Sequence, residues 1–234
     1  MMTEHEMMVG LVVYNEEARL RAWLEHWLPM ASDVVVLDQE STDNSMAILD
    51  EFACPKLTVL TVQRKGFPEP DFNTLQKMAG PMWCWHLGAD EFISPKAMDG
   101  IMREANRLGK ENVTTFWIRR KNLINGVDMN MLHRNPADPQ AYDWQCRLTK
   151  GWSCRYGNTM HVYPHIEGRF AYLDPEKFWM DHHRTFDDVL RANIMRNEFA
   201  APETVAFQNR YCESVAQLLA LTPEQYKEAR SKYE

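Results

Sequence analysis

Short uninterrupted apolar runs alternate with segments of helical periodicity through the first half of the chain, and this alternation constrains the fold more than any other feature. Met7–Tyr14, Asp33–Asp38, Leu57–Val62 and Trp83–Leu87 lack the polar-apolar alternation of a half-solvated strand, so each predicts a strand buried on both faces. Between them, Leu20, Trp23, Leu24, Trp27 and Leu28 line one helical face that Pro29 ends, and Met46, Ile48, Leu49 and Phe52 line a second. Asn73–Ala79 predicts a short helix. Ser94 and Pro95 form an N-cap and first-turn pair for a helix burying Met98, Ile101, Met102, Ala105 and Leu108 and stopping at Gly109. A parallel strand pair needs a crossover, usually a helix, so the pattern predicts an α/β fold of Rossmann-like type, with a mostly parallel sheet flanked by helices.

Beyond Val113–Ile118 the texture becomes loop-rich, with turns at Asn125-Gly126 and Asn135-Pro136 and strand-like pieces near Cys146–Leu148 and Met160–Tyr163. Helical character returns at Thr185, which caps a segment opening with Asp187-Asp188 and burying Leu190, Ile194 and Phe199. Thr222-Pro223-Glu224-Gln225 reads as a capping-box start for a last, polar helix.

The 234 residues carry a net charge of −7, which gives no electrostatic footprint for tracking a phosphate backbone; Arg64-Lys65 and Arg119-Arg120-Lys121 are the compact basic runs. Five scattered cysteines without CxxC spacing read as reduced thiols of a cytoplasmic protein. Met1–Met8 shows no signal-peptide pattern, and no run has the length of a transmembrane helix. The run Trp83–Leu87 ends in Asp90-Glu91, two carboxylates at the strand tip where an α/β sheet places its ligand, which suggests a metal or a proton.

Four segments, in order, resemble family 2 glycosyltransferases of the GT-A fold, in particular small bacterial lipopolysaccharide core-type sugar transferases. They are Val12-Val13-Tyr14-Asn15-Glu16-Glu17, Val35-Val36-Leu37-Asp38-Gln39-Glu40-Ser41-Thr42-Asp43, the strand ending Gly88-Ala89-Asp90-Glu91, and Asp143-Trp144-Gln145-Cys146-Arg147-Leu148. The resemblance implies one GT-A domain over 1–200, with a nucleotide-sugar-binding half (1–118), an acceptor half (119–184) and a helical extension (201–234). It implies inverting transfer from a nucleotide-sugar, a UDP-sugar first, to an acceptor hydroxyl. The expected acceptor is a glycan or lipopolysaccharide precursor; a hydroxymethylated DNA base is conceivable but not favoured by the net charge.

The same resemblance distributes roles. Tyr14 would stack on the base, Asp38 would accept its hydrogen bonds, and Asn15, Glu17, Asp43 and Ala89 would line the donor site. Asp90 would hold Mn2+ or Mg2+ on the diphosphate, since hard oxygens select hard cations. His182 and His183 are candidates to complete that metal shell, because Gly88 stands where relatives carry a first Asp. Asp143 is the first candidate for the base that deprotonates the acceptor, and Glu167 the second. Arg147 could neutralise a phosphate or serve only in a salt bridge, and Arg64 and Lys65 could contact the donor or be solvated.

The residues taken singly also permit plainer roles. Tyr14 can cap the core, Asp38–Asp43 can be a turn and N-cap, and Asp90, Glu91 and Glu167 can be solvated. A nucleotide-binding protein that kept the scaffold and lost catalysis is the alternative function. A zinc protein built on Cys154, His161 and His165 is a third.

Overall fold

The computed structural model describes residues 5–129, 142–158, 163–196 and 202–232. The first elements are β1 (His5–Val13), α1 (Glu17–Trp27), β2 (Ala31–Asp38), α2 (Ser45–Glu51), β3 (Leu57–Thr61), α3 (Glu69–Ala79), β4 (Trp83–Leu87), β5 (Glu91–Phe92) and α4 (Pro95–Gly109). There follow β6 (Val113–Ile124), β7 (Val127–Asp128), β8 (Asp143–Lys150), β9 (Cys154–Arg155), β10 (His165–Ile166), β11 (Arg169–Tyr172) and β12 (Trp179–Arg184). Helices α5 (Phe186–Arg196), α6 (Pro202–Leu218) and α7 (Pro223–Ser231) close the chain. It divides into two compact units, Met1–Arg120 with Trp144–Met180, and Lys121–Asp143 with Asp181–Glu234.

Strands β3, β2, β1 and β4 pair in parallel, as the alternation predicts, and β8 then runs antiparallel to β4. The main sheet has the order β3-β2-β1-β4-β8-β6-β12-β5, with β7 and β11 on β6, and a second small sheet pairs β9 with β10. Successive side chains of β1 enter different cores. Met7, Val9, Leu11 and Val13 join Trp23, Trp27, Leu49 and Ile101 of α1, α2 and α4. Met8 joins Phe72, Leu75 and Ala79 of α3. Burial on both faces explains why these strands show no polar alternation. Gly10 of β1 is where α3 comes closest: a Cβ there would lie 2.6 Å from Leu75 Cδ1.

Ser94 caps α4 by accepting a bond from the Ala97 amide at 3.3 Å, and Met98, Ile101, Met102 and Ala105 are buried as expected. Two boundaries differ from the sequence expectation. Helix α3 begins at Glu69 rather than Asn73, with Pro70 in a first turn where no N–H is needed and Glu69 and Asp71 at the positive helix end. Strand β6 continues past Ile118 to Ile124, so the basic run Arg119-Arg120-Lys121 lies within a strand. Arg119 is buried there, donating to the Pro175 carbonyl at 3.0 Å and pairing with Glu176.

In the second unit, Asn125 and Gly126 turn β6 into β7 with φ of 50° and 78°, the left-handed pair that a tight hairpin requires. Its core gathers Ile124, Met129, Phe186, Val189, Leu190, Cys212, Val215 and Ala216. Thr185 Oγ1 accepts from the Asp188 amide at 3.1 Å, and Thr222 and Gln225 form the expected capping box. Asn135-Pro136, Met160–Val162 and Phe199 lie outside the described residues. Among the described residues no helix is long and apolar enough to cross a membrane, and all five cysteines are free thiols.

Candidate active site

The segments after β1 and β2 are clasped together at the C-terminal ends of the parallel strands. Thr42 N donates to Asn15 Oδ1 at 2.7 Å, and Asn15 N donates to Ser41 Oγ at 3.0 Å. Glu17 N donates to Asp43 Oδ2 at 3.0 Å, while Glu17 Oε2 accepts from the Asn44 amide and side chain at 2.9 and 2.7 Å. Asn15, Glu17 and Asp43 therefore direct polar atoms at the facing loop. Burial raises the Asp43 carboxyl pKa, but the Ser45 hydroxyl and the Glu17 and Ser45 amides outweigh it and hold the group below the usual carboxylate range. Asn15 and Glu40 adopt positive φ of 55° and 59°, an uncommon backbone state for such residues and one that collects at binding sites.

Two groups at this tip point to a ligand. Asp38 is 1 % exposed; its Oδ2 accepts from the Ser41 amide at 3.1 Å, while its Oδ1 is buried with no hydrogen-bond partner. A buried unpaired carboxylate oxygen is costly, so it is an acceptor set for a donor that the folded chain does not supply. Tyr14, half-buried, directly follows Val13, the β1 residue that pairs with Asp38, and the Arg64 guanidinium lies over its ring at 4.1 Å from the centroid. Lys65 pairs with the buried Asp71, which also accepts from Gln39 Nε2 at 2.8 Å.

The tip of β4 is a reverse turn. Glu91 N donates to the Gly88 carbonyl at 3.1 Å, and Gly88 N donates to Glu91 Oε2 at 2.8 Å. This turn places Ala89 inside and leaves Asp90 half-buried at its corner. Glu91 is 1 % exposed and is gripped by Arg147 through two bonds of 2.9 Å, with Arg120 at 3.3 Å. Arg147 thus serves a salt bridge. Burial lowers its pKa, yet the Glu91 carboxylate more than reverses this and raises it above the ordinary arginine range.

These contacts separate the two acids of the motif. Glu91 is committed to the arginines, while Asp90 stands half-buried at the corner of the turn. A magnesium-type ion needs only one or two protein carboxylates when substrate phosphates supply further oxygens, so Asp90 fits that group. A Cβ at position 88 would lie 2.7 Å from Asp90 Oδ1, so Gly88 is the residue that gives Asp90 this position.

In the second unit, Asn122 links two residues that the resemblance gave separate tasks. Its Nδ2 donates to Asp143 Oδ2 at 2.8 Å, and its Oδ1 lies 2.7 Å from His182 Nδ1. The amide oxygen can only accept, so His182 carries its proton on Nδ1. His182 is buried and His183 exposed. Asn122 escaped sequence reasoning, since directly after Arg119-Arg120-Lys121 it reads as one more polar residue of a basic run. Glu167 lies in the turn after β10 and pairs with Arg155 at 2.8 Å, both half-exposed. In the zinc reading, His165 is exposed, His161 is outside the described residues, and Cys154 is buried against a different histidine, His86.

Residues 8–174 match the family model for Glycosyl transferase family 2. No curated protein matches the sequence. The crystal structure of S. aureus TarS residues 1–349 in complex with UDP-GlcNAc is 14 % identical, with a TM-score of 0.54 over 98 % of this chain and 80 % of that one. The same fragment in complex with UDP is 14 % identical, with a TM-score of 0.49 over 87 % and 68 % of the two chains. At this identity the TarS–UDP-GlcNAc likeness is one of fold, and it agrees with the GT-A arrangement of a mostly parallel sheet flanked by helices. The family model spans the strand tips that carry Tyr14, Asp38, Asp90 and Arg147, and the chain belongs to Glycosyl transferase family 2.

Proposed function

We propose that this glycosyltransferase takes its sugar from a UDP-sugar, uses Mg2+ or Mn2+ held by Asp90, and transfers to an acceptor hydroxyl with inversion. The observation that carries the donor reading is the buried Asp38 Oδ1, unpartnered at the tip of β2. A pyrimidine imide N–H is the donor it lacks, and the Tyr14 ring offers the base a face once Arg64 turns toward the phosphates. Support for UDP also comes from TarS, whose fold this chain shares and which was solved with UDP-GlcNAc.

When bound, the metal supplies charge stabilisation to the departing diphosphate. The chain's own residues do the rest. Asp143 takes the proton from the acceptor hydroxyl as that oxygen bonds to the anomeric carbon, and the carbon–oxygen bond to the diphosphate breaks on the opposite face. Asn122 orients Asp143 by donating to its Oδ2. His182 and His183 remain the candidates to complete the metal shell, Asn15, Glu17, Asp43 and Ala89 to border the donor, and Glu167 to act as the second-choice base.

The acceptor in this reading is a glycan precursor. Tyr163, Phe170 and Tyr172 are exposed by 83, 50 and 54 %, and Tyr172 packs on Trp117 and Trp144, a set of ring faces suited to sugar stacking. A nucleic-acid acceptor is less supported, since the net charge is −7 and Arg119 and Arg120 already contact carboxylates. Gly88 favours the second reading, a nucleotide-binding protein without turnover, because it removes one acid from the metal motif.

Thermal-shift titration with UDP and manganese tests the proposal on the native chain, Asp38→Ala and Asp90→Ala. We expect stabilisation of the native chain, loss of most of it in Asp38→Ala with or without metal, and loss of only the metal-dependent part in Asp90→Ala. An unchanged shift in Asp90→Ala would remove that residue from the metal site. UDP binding without hydrolysis or transfer of any UDP-sugar would select the non-catalytic reading.

A further inference from the structure

Outside the donor site, the described residues hold a second group of metal-capable side chains. His86 of β4, Cys146 of β8 and Cys154 of β9 are all buried, and one ligand atom from each lies within 4.8 Å of the others. They come from positions 86, 146 and 154, so no short CxxC or HxxxH spacing announces them.

The hydrogen bonds around His86 prepare it as a ligand. Its Nδ1 lies 2.9 Å from the Arg147 carbonyl, which can only accept, so the proton is on Nδ1 and Nε2 presents a lone pair. That second bond is how metal-bound histidines are usually oriented. The Tyr156 hydroxyl has one proton and two acceptors in reach, His86 Nε2 at 3.1 Å and the Cys146 carbonyl at 3.0 Å. A cation on Nε2 would leave that hydroxyl its carbonyl partner, so binding orphans no polar group. Gln76 of α3, 1 % exposed, places Oε1 3.5 Å from Cys154 Sγ, and its Nε2 is buried with no partner.

We infer that His86 Nε2, Cys146 Sγ and Cys154 Sγ form a structural zinc site, with Gln76 Oε1 as the fourth donor. Two thiols and an imidazole are soft to borderline ligands and select zinc over the hard cations suited to Asp90. On binding, each thiol gives its proton to solvent, and two thiolates neutralise the dication, so no net charge is buried beside the Arg147 guanidinium. Tetrahedral ligands at zinc bond lengths stand about 3.3–3.8 Å apart, so the cluster contracts by up to about 1 Å on loading. The ion would tie α3, β4, β8 and β9 together directly behind Arg147, whose carbonyl holds His86 and whose guanidinium holds Glu91.

The test is elemental analysis of the full chain, expressed with zinc and purified without chelators or a polyhistidine tag, together with replacement by cobalt. We expect close to one zinc per chain, intense thiolate-to-cobalt absorption in the near ultraviolet, and at least a tenfold drop in bound zinc in Cys146→Ala and Cys154→Ala. Where those variants fail to fold, the cobalt spectrum of the native chain decides alone. Native protein that holds no zinc and gives no thiolate–cobalt band overturns the site. So does zinc retained by the double variant, or a Cys146–Cys154 disulfide in place of metal.

Discussion

At the scale of single residues, the β4 tip shows how one motif separates structure from ligand binding. Glu91 is buried between Arg147 and Arg120 and also accepts from the Gly88 amide, so its charge is needed where it stands. Breaking such a pair leaves buried guanidinium charge uncompensated, which costs about 3–5 kcal/mol. Glu91→Gln should therefore lower the unfolding free energy by that order, and with it the urea midpoint; an unchanged midpoint would contradict this role. Sequence reasoning singled out Asp38 and Asp90 as acids at strand tips, and Arg147 through the Asp143–Leu148 segment. It could not tell that Arg147 faces Glu91, since the two come from strands 56 positions apart. It missed Asn122 and His86 because their importance comes from partners that only the sheet brings together.

At the scale of elements, the apolar runs and caps carried most of the readable information. Burial of β1, β2 and β4 on both faces made their assignment unambiguous, and Ser94-Pro95 fixed the start of α4 through a bond that forms locally. The extents of α3 and β6 were less legible, since a proline inside a first turn and a basic run inside a strand both look like loop. The closeness of α3 to β1 was invisible, as it depends on Gly10 having no side chain. Gly10→Ala should overpack the Leu75 contact and cost about 1–3 kcal/mol. Chemical denaturation measures this, and a stabilised variant would show that α3 can lift away freely.

At the scale of the whole molecule, acid should weaken the fold through its buried imidazoles. Burial first, then the Arg147 cation, push the His86 pKa down to about 3, and burial likewise lowers that of His26. Both groups are neutral when folded and bind protons when unfolded. Their contribution is fully present above pH 6.5, the ordinary histidine value, and is lost as pH falls below it, for His86 down toward 3. For His86 the loss is about 1.4 kcal/mol for each pH unit inside that window. In chelator-treated, metal-free protein, denaturation midpoints at pH 7.5 and 5 should differ less in His86→Asn than in the native chain, and an NMR titration should find the His86 ring still neutral at pH 5. A ring that protonates near pH 6.5 would refute the effect. The path of the chain through its two units has a further consequence, for heredity rather than for stability. The first unit is interrupted after Arg120 and resumes at Trp144, bringing Arg147 back to a carboxylate laid down some fifty residues earlier. A gene fragment ending at residue 120 would encode four parallel strands and a buried Glu91 without its main counter-charge. Recombination can therefore pass on the parallel-strand layer only together with the segment that interrupts it, and the two must be inherited as one piece.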